Sequence, residues 1–396
     1  MISEKMYGLG SKRSTIRELF EYGMKRAEVV GKENVFDFSI GNPTVPSPAC
    51  VKESIIEILD TVNSSDIHGY TSAQGSVATR AAIADYLNKT YDLNVRADNF
   101  YMTCGAAASL CICIKALTEC KEDEFVVIAP FFPEYRVFIE GQGATFKMVP
   151  ADTKNFQINF EALEETINEK TKGIIINSPN NPSGVVYSKE TLEKLAALLE
   201  KKSKAYNHPI VLIADEPYRE IAYDGVEVPY ATKFYNNTIV CYSYSKSLSL
   251  PGERIGYILV PDEMQDSKAV YAAVCGAGRA LGYVCAPSLF QRVIEKCVGQ
   301  TGDIDLYKKN RDILYKNLTE YGYECVNPQG AFYLFVKALE EDAKAFCEKA
   351  KGYDLLIVAA DDFGCPGYVR ISYCVEEAMI MRSLPAFKKL ADSYKA

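Results

Sequence analysis

Ser243, Ser245 and Lys246 close the apolar run Thr238-Ile-Val-Cys-Tyr-Ser, and Arg254 follows Lys246 by eight residues inside Gly252-Glu253-Arg254-Ile255-Gly256. A lysine at the end of a buried strand is desolvated. Burial disfavours its ammonium form and frees the neutral amine. A neutral amine condenses with an aldehyde to give a Schiff base. The hydroxyls of Ser243 and Ser245, with the Arg254 guanidinium, can hold a dianionic phosphate beside it. The chemistry asked for is that of an aldehyde that also carries a phosphate. An exposed loop with a solvated lysine would use the same residues, so the stretch has to be weighed with others.

Asp215 ends the run Ile-Val-Leu-Ile-Ala-Asp. A carboxylate there can pair with a protonated ring nitrogen; capping the next helix is the plain alternative. Gly105-Ala106-Ala107 precedes an apolar, helix-like run. Small residues at a helix start let backbone N–H groups approach a phosphate at the positive end of the helix. Lysine, phosphate cradle and ring-nitrogen carboxylate together are the requirements of pyridoxal 5′-phosphate.

Further segments complete the pattern. They are Gly41-Asn42-Pro43, Tyr70-Thr71-Ser72-Ala73-Gln74-Gly75, Pro130-Phe131-Phe132-Pro133, Asn180-Asn181-Pro182-Ser183-Gly184, Asp215-Glu216-Pro217-Tyr218 and Tyr368-Val369-Arg370-Ile371-Ser372. In order and spacing the set resembles the class I/II pyridoxal-phosphate-dependent aminotransferases of fold type I, the aspartate aminotransferase-like enzymes, from about Phe38 to Ser372. The resemblance implies a role for each residue. Lys246 carries the cofactor as a Schiff base and then serves as the general base. Tyr218 and Asn181 bond the ring's phenolic oxygen, and Phe132 stacks on the ring, with Phe131 as its competitor. Arg370 grips the substrate α-carboxylate in a bidentate fork that lysine could not reproduce, with Gly41 beside it. Tyr70 reaches the phosphate of a neighbouring subunit, which implies a homodimer with shared sites. Arg279 falls near the region where some aspartate enzymes keep an arginine for a distal carboxylate, although its spacing to Pro287 differs from theirs.

The implied reaction is ping-pong transfer of an amino group between an L-amino acid and a 2-oxo acid, with aspartate and 2-oxoglutarate as a candidate pair. Aromatic and alanine specificities stay open. A C–S lyase or decarboxylase of the same fold type would keep Lys246, Asp215 and Arg370. A non-catalytic cofactor sensor is the alternative from another class.

These residues need a scaffold. Apolar runs at 124–129, 173–177, 210–215, 238–243 and 254–260 alternate with helical patterns at 105–119 and 189–203. In the second of these helices Leu192, Leu195, Ala196 and Leu199 make one apolar stripe. Such alternation predicts an α/β fold, a mostly parallel sheet covered by helices, with ligands beyond the carboxyl ends of the strands. Helical patterns at 287–299, 303–321 and 376–394 surround short strands at 331–336 and 368–373. They predict a smaller α+β domain, and the resemblance implies that the N-terminal segment joins it, so that it is built from both chain ends. The expected divisions are 1–49 joining the small domain, 50–286 for the large cofactor-binding domain and 287–396 for the rest of the small one.

The 396 residues are 48% hydrophobic and 24% charged, with a formal charge of −8. That balance argues against nucleic acid as a partner. No run approaches a membrane span, and no signal peptide is evident. The expected location is the cytoplasm, with the thirteen cysteines as reduced thiols. Two histidines and no zinc-type spacing disfavour a metal centre.

Overall fold

A computed structural model describes residues 1–11 and 15–395. Its main sheet has seven strands: β1 (Phe100–Thr103), β2 (Glu124–Ile128), β3 (Thr145–Val149), β4 (Thr171–Asn177), β5 (Val211–Asp215), β6 (Thr238–Ser243) and β7 (Gly256–Leu259). Their order is β1-β7-β6-β5-β4-β2-β3. Only β7 runs against its neighbours; the other pairs are parallel.

Period-two alternation divides the strand residues between two cores. Val126, Ile128, Ile174, Ile176, Leu212, Ala214 and Val240 face one. Phe125, Val127, Ile175, Val211, Ile213, Ile239 and Cys241 face the other. Both faces are apolar, so the strands read as continuous hydrophobic runs, as parallel strands covered on both sides must. The first face is covered by the helices Ala49–Thr61, Val77–Tyr91 and Lys189–Tyr206, and the second by Ala106–Leu117, Glu134–Gly141 and Ser267–Ala280.

The expected strands at 124–129, 173–177, 210–215 and 238–243 are present within two residues. The fifth is shorter than expected because Arg254 has a left-handed φ of 54° and cannot extend the strand. β1 and β3 escaped the pattern. β1 is four residues long, and β3 is a half-exposed edge strand that carries Lys147.

A second, antiparallel sheet is formed by β8 (Cys325–Val326), β9 (Tyr333–Lys337), β10 (Val358–Ala359) and β11 (Tyr368–Ser372), in the order β10-β11-β9-β8. The helices Ile304–Tyr321 and Glu377–Asp392 contribute to its core. The N-terminal part joins this body. Phe36–Asp37 pairs in parallel with Leu355–Leu356, and Phe38 packs on Phe387. One expected division fails on packing. The helix Ser288–Cys297 sets Val293, Ile294 and Cys297 against Val51 and Ile58 of the larger body. A boundary near residue 300 fits the contacts better than one at 287.

The turn after β5 is clamped by a buried ion pair. Arg219 Nε donates to Glu216 Oε2 at 2.6 Å, and its two terminal nitrogens donate to the carbonyls of Val228 and Pro229. The guanidinium also lies 4.2 Å from the Tyr230 ring centre. With all three guanidinium nitrogens engaged, this pair fixes the turn that carries Asp215 and Tyr218. No helix among the described residues is long and apolar enough to cross a membrane.

Candidate active site

β4, β5 and β6 end side by side, with Asn177 opposite Asp215 and Asp215 opposite Cys241. A cavity of about 270 Å³ opens beyond these ends, between the main sheet and the smaller body. Asp215, Tyr218, Ser243, Ser245, Lys246 and Arg254 reach it from the sheet side. Gly41, Tyr333 and Arg370 reach it from the other. Asn181, Phe132, Ala106 and Ala107 also line it.

Lys246 sits on the single turn Tyr244–Ser247, directly after β6. Its Nζ donates to the Gly41 carbonyl at 2.7 Å. Burial pulls the lysine pKa down to about 8, and the positive charges of Arg370 and Arg254 act in the same direction. Part of the amine is therefore in its neutral form near neutral pH.

Asp215 is buried at the end of β5. Tyr135 Oη donates to its Oδ2 at 2.5 Å, and Asn177 Nδ2 donates to its backbone carbonyl at 2.9 Å. Its other oxygen, Oδ1, is buried without a partner. Burial pushes the carboxyl pKa up to about 7, opposed by the Tyr135 hydrogen bond. A carboxyl with one oxygen anchored and the other free suits a cationic ring N–H.

An anion cradle lies at the opposite end. Ser243 Oγ and Ser245 Oγ are 2.6 Å apart, and Ala106 and Ala107 begin the helix Ala106–Leu117. Gly105 holds φ at 89°, and a Cβ there would come within 2.9 Å of Arg254 Nη2. Glycine is what lets the guanidinium close on the helix start. Arg254 also donates to the Pro251 carbonyl at 2.9 Å. Two hydroxyls, a guanidinium and helix N–H groups fit a phosphate.

Arg370, on β11, is 2% exposed. Its Nη1 donates to Asn181 Oδ1 at 3.1 Å and its Nη2 to the Ser39 carbonyl at 2.6 Å, while Nε is buried without a partner. The guanidinium lies 4.7 Å from the Tyr333 ring centre. A buried cation held by neutral acceptors is a receptor for a carboxylate. Tyr218 Oη is 2.9 Å from Tyr333 Oη. Phe132 lines the cavity, whereas Phe131 is packed in the core against Phe146.

Two expected residues lie elsewhere. Tyr70 is 87% exposed and does not line this cavity. Arg279 is exposed in the last turn of the helix Ser267–Ala280 and is likewise absent from the wall. Tyr135, Tyr333 and Asn177 went unread in the sequence, as did the apolar wall of Ile16, Ile40, Leu110 and Phe138. Only Tyr135 carried a local hint, from its place three residues after Phe132.

Residues 33–387 match the family described as aminotransferase class I and II, and the chain belongs to that family. It is accordingly an aminotransferase that uses pyridoxal 5′-phosphate. A probable aspartate aminotransferase of Methanocaldococcus jannaschii is 30% identical over 98% of this chain and 100% of that protein. The aspartate aminotransferase of Thermotoga maritima is 28% identical, covering 96% and 97%. Among solved structures, an aminotransferase from Eubacterium rectale superposes with a TM-score of 0.99 at 66% identity over 100% of both chains. The Thermus thermophilus aspartate aminotransferase with maleate, 23% identical with a TM-score of 0.86 over 98% and 100%, shares the fold.

The raised Asp215 pKa has a sign that can be measured. Between the ordinary value of 3.8 and about 7, the folded protein keeps a proton that the unfolded chain has lost. This stabilisation is complete below pH 3.8 and is lost as pH rises through about 7. Its steepest slope is about 1.4 kcal/mol per pH unit. In cofactor-free protein the melting temperature of Asp215→Asn, relative to wild type, should climb across that window and then level off. A pH-independent difference would mean that the carboxyl titrates normally.

Proposed function

We propose that Lys246, Asp215 and Tyr218 are the catalytic residues of an amino-group transfer between an L-amino acid and a 2-oxo acid, run as two half-reactions in ping-pong order. The observation that carries this reading is the pairing, across one cavity, of a desolvated lysine with a buried carboxyl whose Oδ1 has no partner. Pyridoxal phosphate, when bound, supplies the electron sink for the pair left behind as the Cα proton departs.

The chain does the rest. Ser243, Ser245, Arg254 and the helix start at Gly105, Ala106 and Ala107 hold the phosphate. Phe132 covers the ring face. Asp215 keeps the ring nitrogen charged, and Tyr218 and Asn181 serve the phenolic oxygen. Arg370 takes the substrate α-carboxylate in its fork, beside Gly41. Lys246, neutral for much of the time near pH 8, would accept the Cα proton and deliver it to the cofactor's former aldehyde carbon, and the return half-reaction would run this transfer backwards. Reduction of the loaded enzyme with borohydride should leave the cofactor on the peptide that contains Lys246. Label on any other lysine would remove Lys246 from this role.

Aspartate is the donor that the relatives' names support, with 2-oxoglutarate as its candidate acceptor. A distal carboxylate needs a cation, and the described lining residues offer only Lys246, Arg254 and Arg370, each already engaged. Arg279 would have to act from a second copy. The apolar wall of Ile16, Ile40, Leu110 and Phe138 supports a second reading, an aromatic or large aliphatic donor. A relative from Thermococcus litoralis is named an aromatic-amino-acid aminotransferase. A donor panel separates the two. A kcat/KM for aspartate at least tenfold above that for phenylalanine supports the first, and the reverse order supports the second.

The exposure of Tyr70, away from its own chain's cavity, suits a residue that serves a partner. We infer a homodimer in which Tyr70 reaches the other subunit's phosphate site. Mixing Lys246→Ala with Tyr70→Phe protein should form heterodimers in which one site has both a native Lys246 and a native Tyr70. Cofactor affinity at that site should return to the wild-type value. No rescue would mean that Tyr70 acts within its own chain or not at all.

A further inference from the structure

We propose that Tyr333 is a positioning residue for Tyr218, donating a hydrogen bond to its phenolic oxygen so that the Tyr218 proton is turned into the cavity. The proposal rests on the reading of Tyr218 as a donor to the cofactor's ring oxygen.

The two hydroxyls are 2.9 Å apart and buried. Each has one proton, so the contact has two possible directions. Tyr333 donating leaves the Tyr218 proton free for a ligand. Tyr218 donating spends it inside the protein. The surrounding charges choose between them. Arg370 lies over the Tyr333 ring with its guanidinium carbon 4.7 Å from the centroid, and its charge favours the phenolate form of Tyr333. Burial and the neighbouring Cys374 push the Tyr333 pKa up to about 12, with Arg370 the main opposing influence. Tyr218 is pushed well above the ordinary phenol value by burial, by Tyr333 and by Asp215, with only Arg370 opposing. A guanidinium held over its ring polarises the Tyr333 hydroxyl and makes it the better donor of the two.

Sterics hold the arrangement. A Cβ at Gly41 would sit 2.1 Å from Tyr333 Oη, so the hydroxyl is wedged between the Gly41 backbone and Tyr218. The rings of Tyr218 and Tyr333 meet edge to face at 5.9 Å, and Phe332 packs on Tyr218 at 5.4 Å. Neither ring can swing away without disturbing the others. Among the described residues the Tyr218 hydroxyl has no second hydrogen-bond partner. Its proton therefore points to the only polar space left, the cavity that it lines. A chain of donors running one way also strengthens its last member.

The test removes single oxygens and keeps every ring. The visible absorbance of the loaded enzyme is titrated against pH for wild type, Tyr218→Phe, Tyr333→Phe and the double variant. A donor to the ring oxygen matters most when that oxygen carries its full negative charge, so losing the donor moves the colour change to higher pH. Tyr218→Phe should shift it by about one unit, the size of one net hydrogen bond, and Tyr333→Phe by about half as much. The double variant should shift no further than Tyr218→Phe alone, because Tyr333 acts only through Tyr218. Additive shifts, or an unmoved titration in Tyr333→Phe, would overturn the proposal while leaving the role of Tyr218 intact. An unmoved titration in Tyr218→Phe would overturn the proposal together with the reading beneath it. Melting temperatures of the four proteins confirm that each variant is folded when compared.

Discussion

Each ionisable group proposed to do chemistry in this cavity is held by a neutral partner, and the rest of the site depends on that constraint. Lys246 donates to the Gly41 carbonyl, Asp215 accepts from the Tyr135 hydroxyl, and Arg370 donates to Asn181 and to the Ser39 carbonyl. A neutral hydrogen bond orients a charged group without cancelling its charge. An acid placed against Arg370 would have occupied the fork meant for a substrate carboxylate. An acid beside Lys246 would have kept it an ammonium ion. The cost is stability. Buried ionisable groups with incomplete partners are expensive, and the strain is tolerated because the surrounding layers are well packed.

The sheet supplies the precision that such bonds require. Residues of one strand face two cores in alternation, so a shift of one residue would exchange the cores and disrupt the packing of both. With register locked, Asn177 and Asp215 end their strands in step. The Asn177 amide can then brace the Asp215 backbone at 2.9 Å. The Glu216–Arg219 pair secures the following turn, and Tyr218 projects from it toward the smaller body. That body returns Tyr333 and Arg370 from β9 and β11, which are paired antiparallel with Phe335 opposite Arg370. Neither layer alone contains both the amine and the carboxylate receptor. The chemistry belongs to their junction.

The legible part of the site was local in sequence. Ser243, Ser245, Lys246 and Arg254 fall within twelve residues, and a strand running into a turn positions them whatever the distant contacts. Five of the seven strands of the main sheet were legible for a related reason, since burial on both faces leaves uninterrupted apolar runs. Amphipathic helices were found, but a stripe says only that one face is buried and not against which body. Ser288–Cys297 was accordingly assigned to the wrong side of the boundary. Arg279 illustrates the same limit. Its position in the chain was suggestive, yet it projects from the exposed end of its helix, away from its own cavity.

The illegible part follows from the neutral-partner constraint itself. Catalytic charges announce themselves because few residue types can do their work. Asn181 apart, their partners are tyrosines and backbone carbonyls, which occur everywhere and carry no spacing signal. Tyr135 meets Asp215 across 80 residues, and Tyr333 meets Tyr218 across 115. Gly41 contributes both a carbonyl for Lys246 and the missing side chain that admits the Tyr333 hydroxyl. Only the first of these uses the group that any residue has; the second uses the absence of one. A motif search therefore recovers the groups that react and passes over those that aim them. Substituting a partner at such a site, with the charge left in place, should be felt in the orientation and protonation of the reacting group before it is felt in the fold.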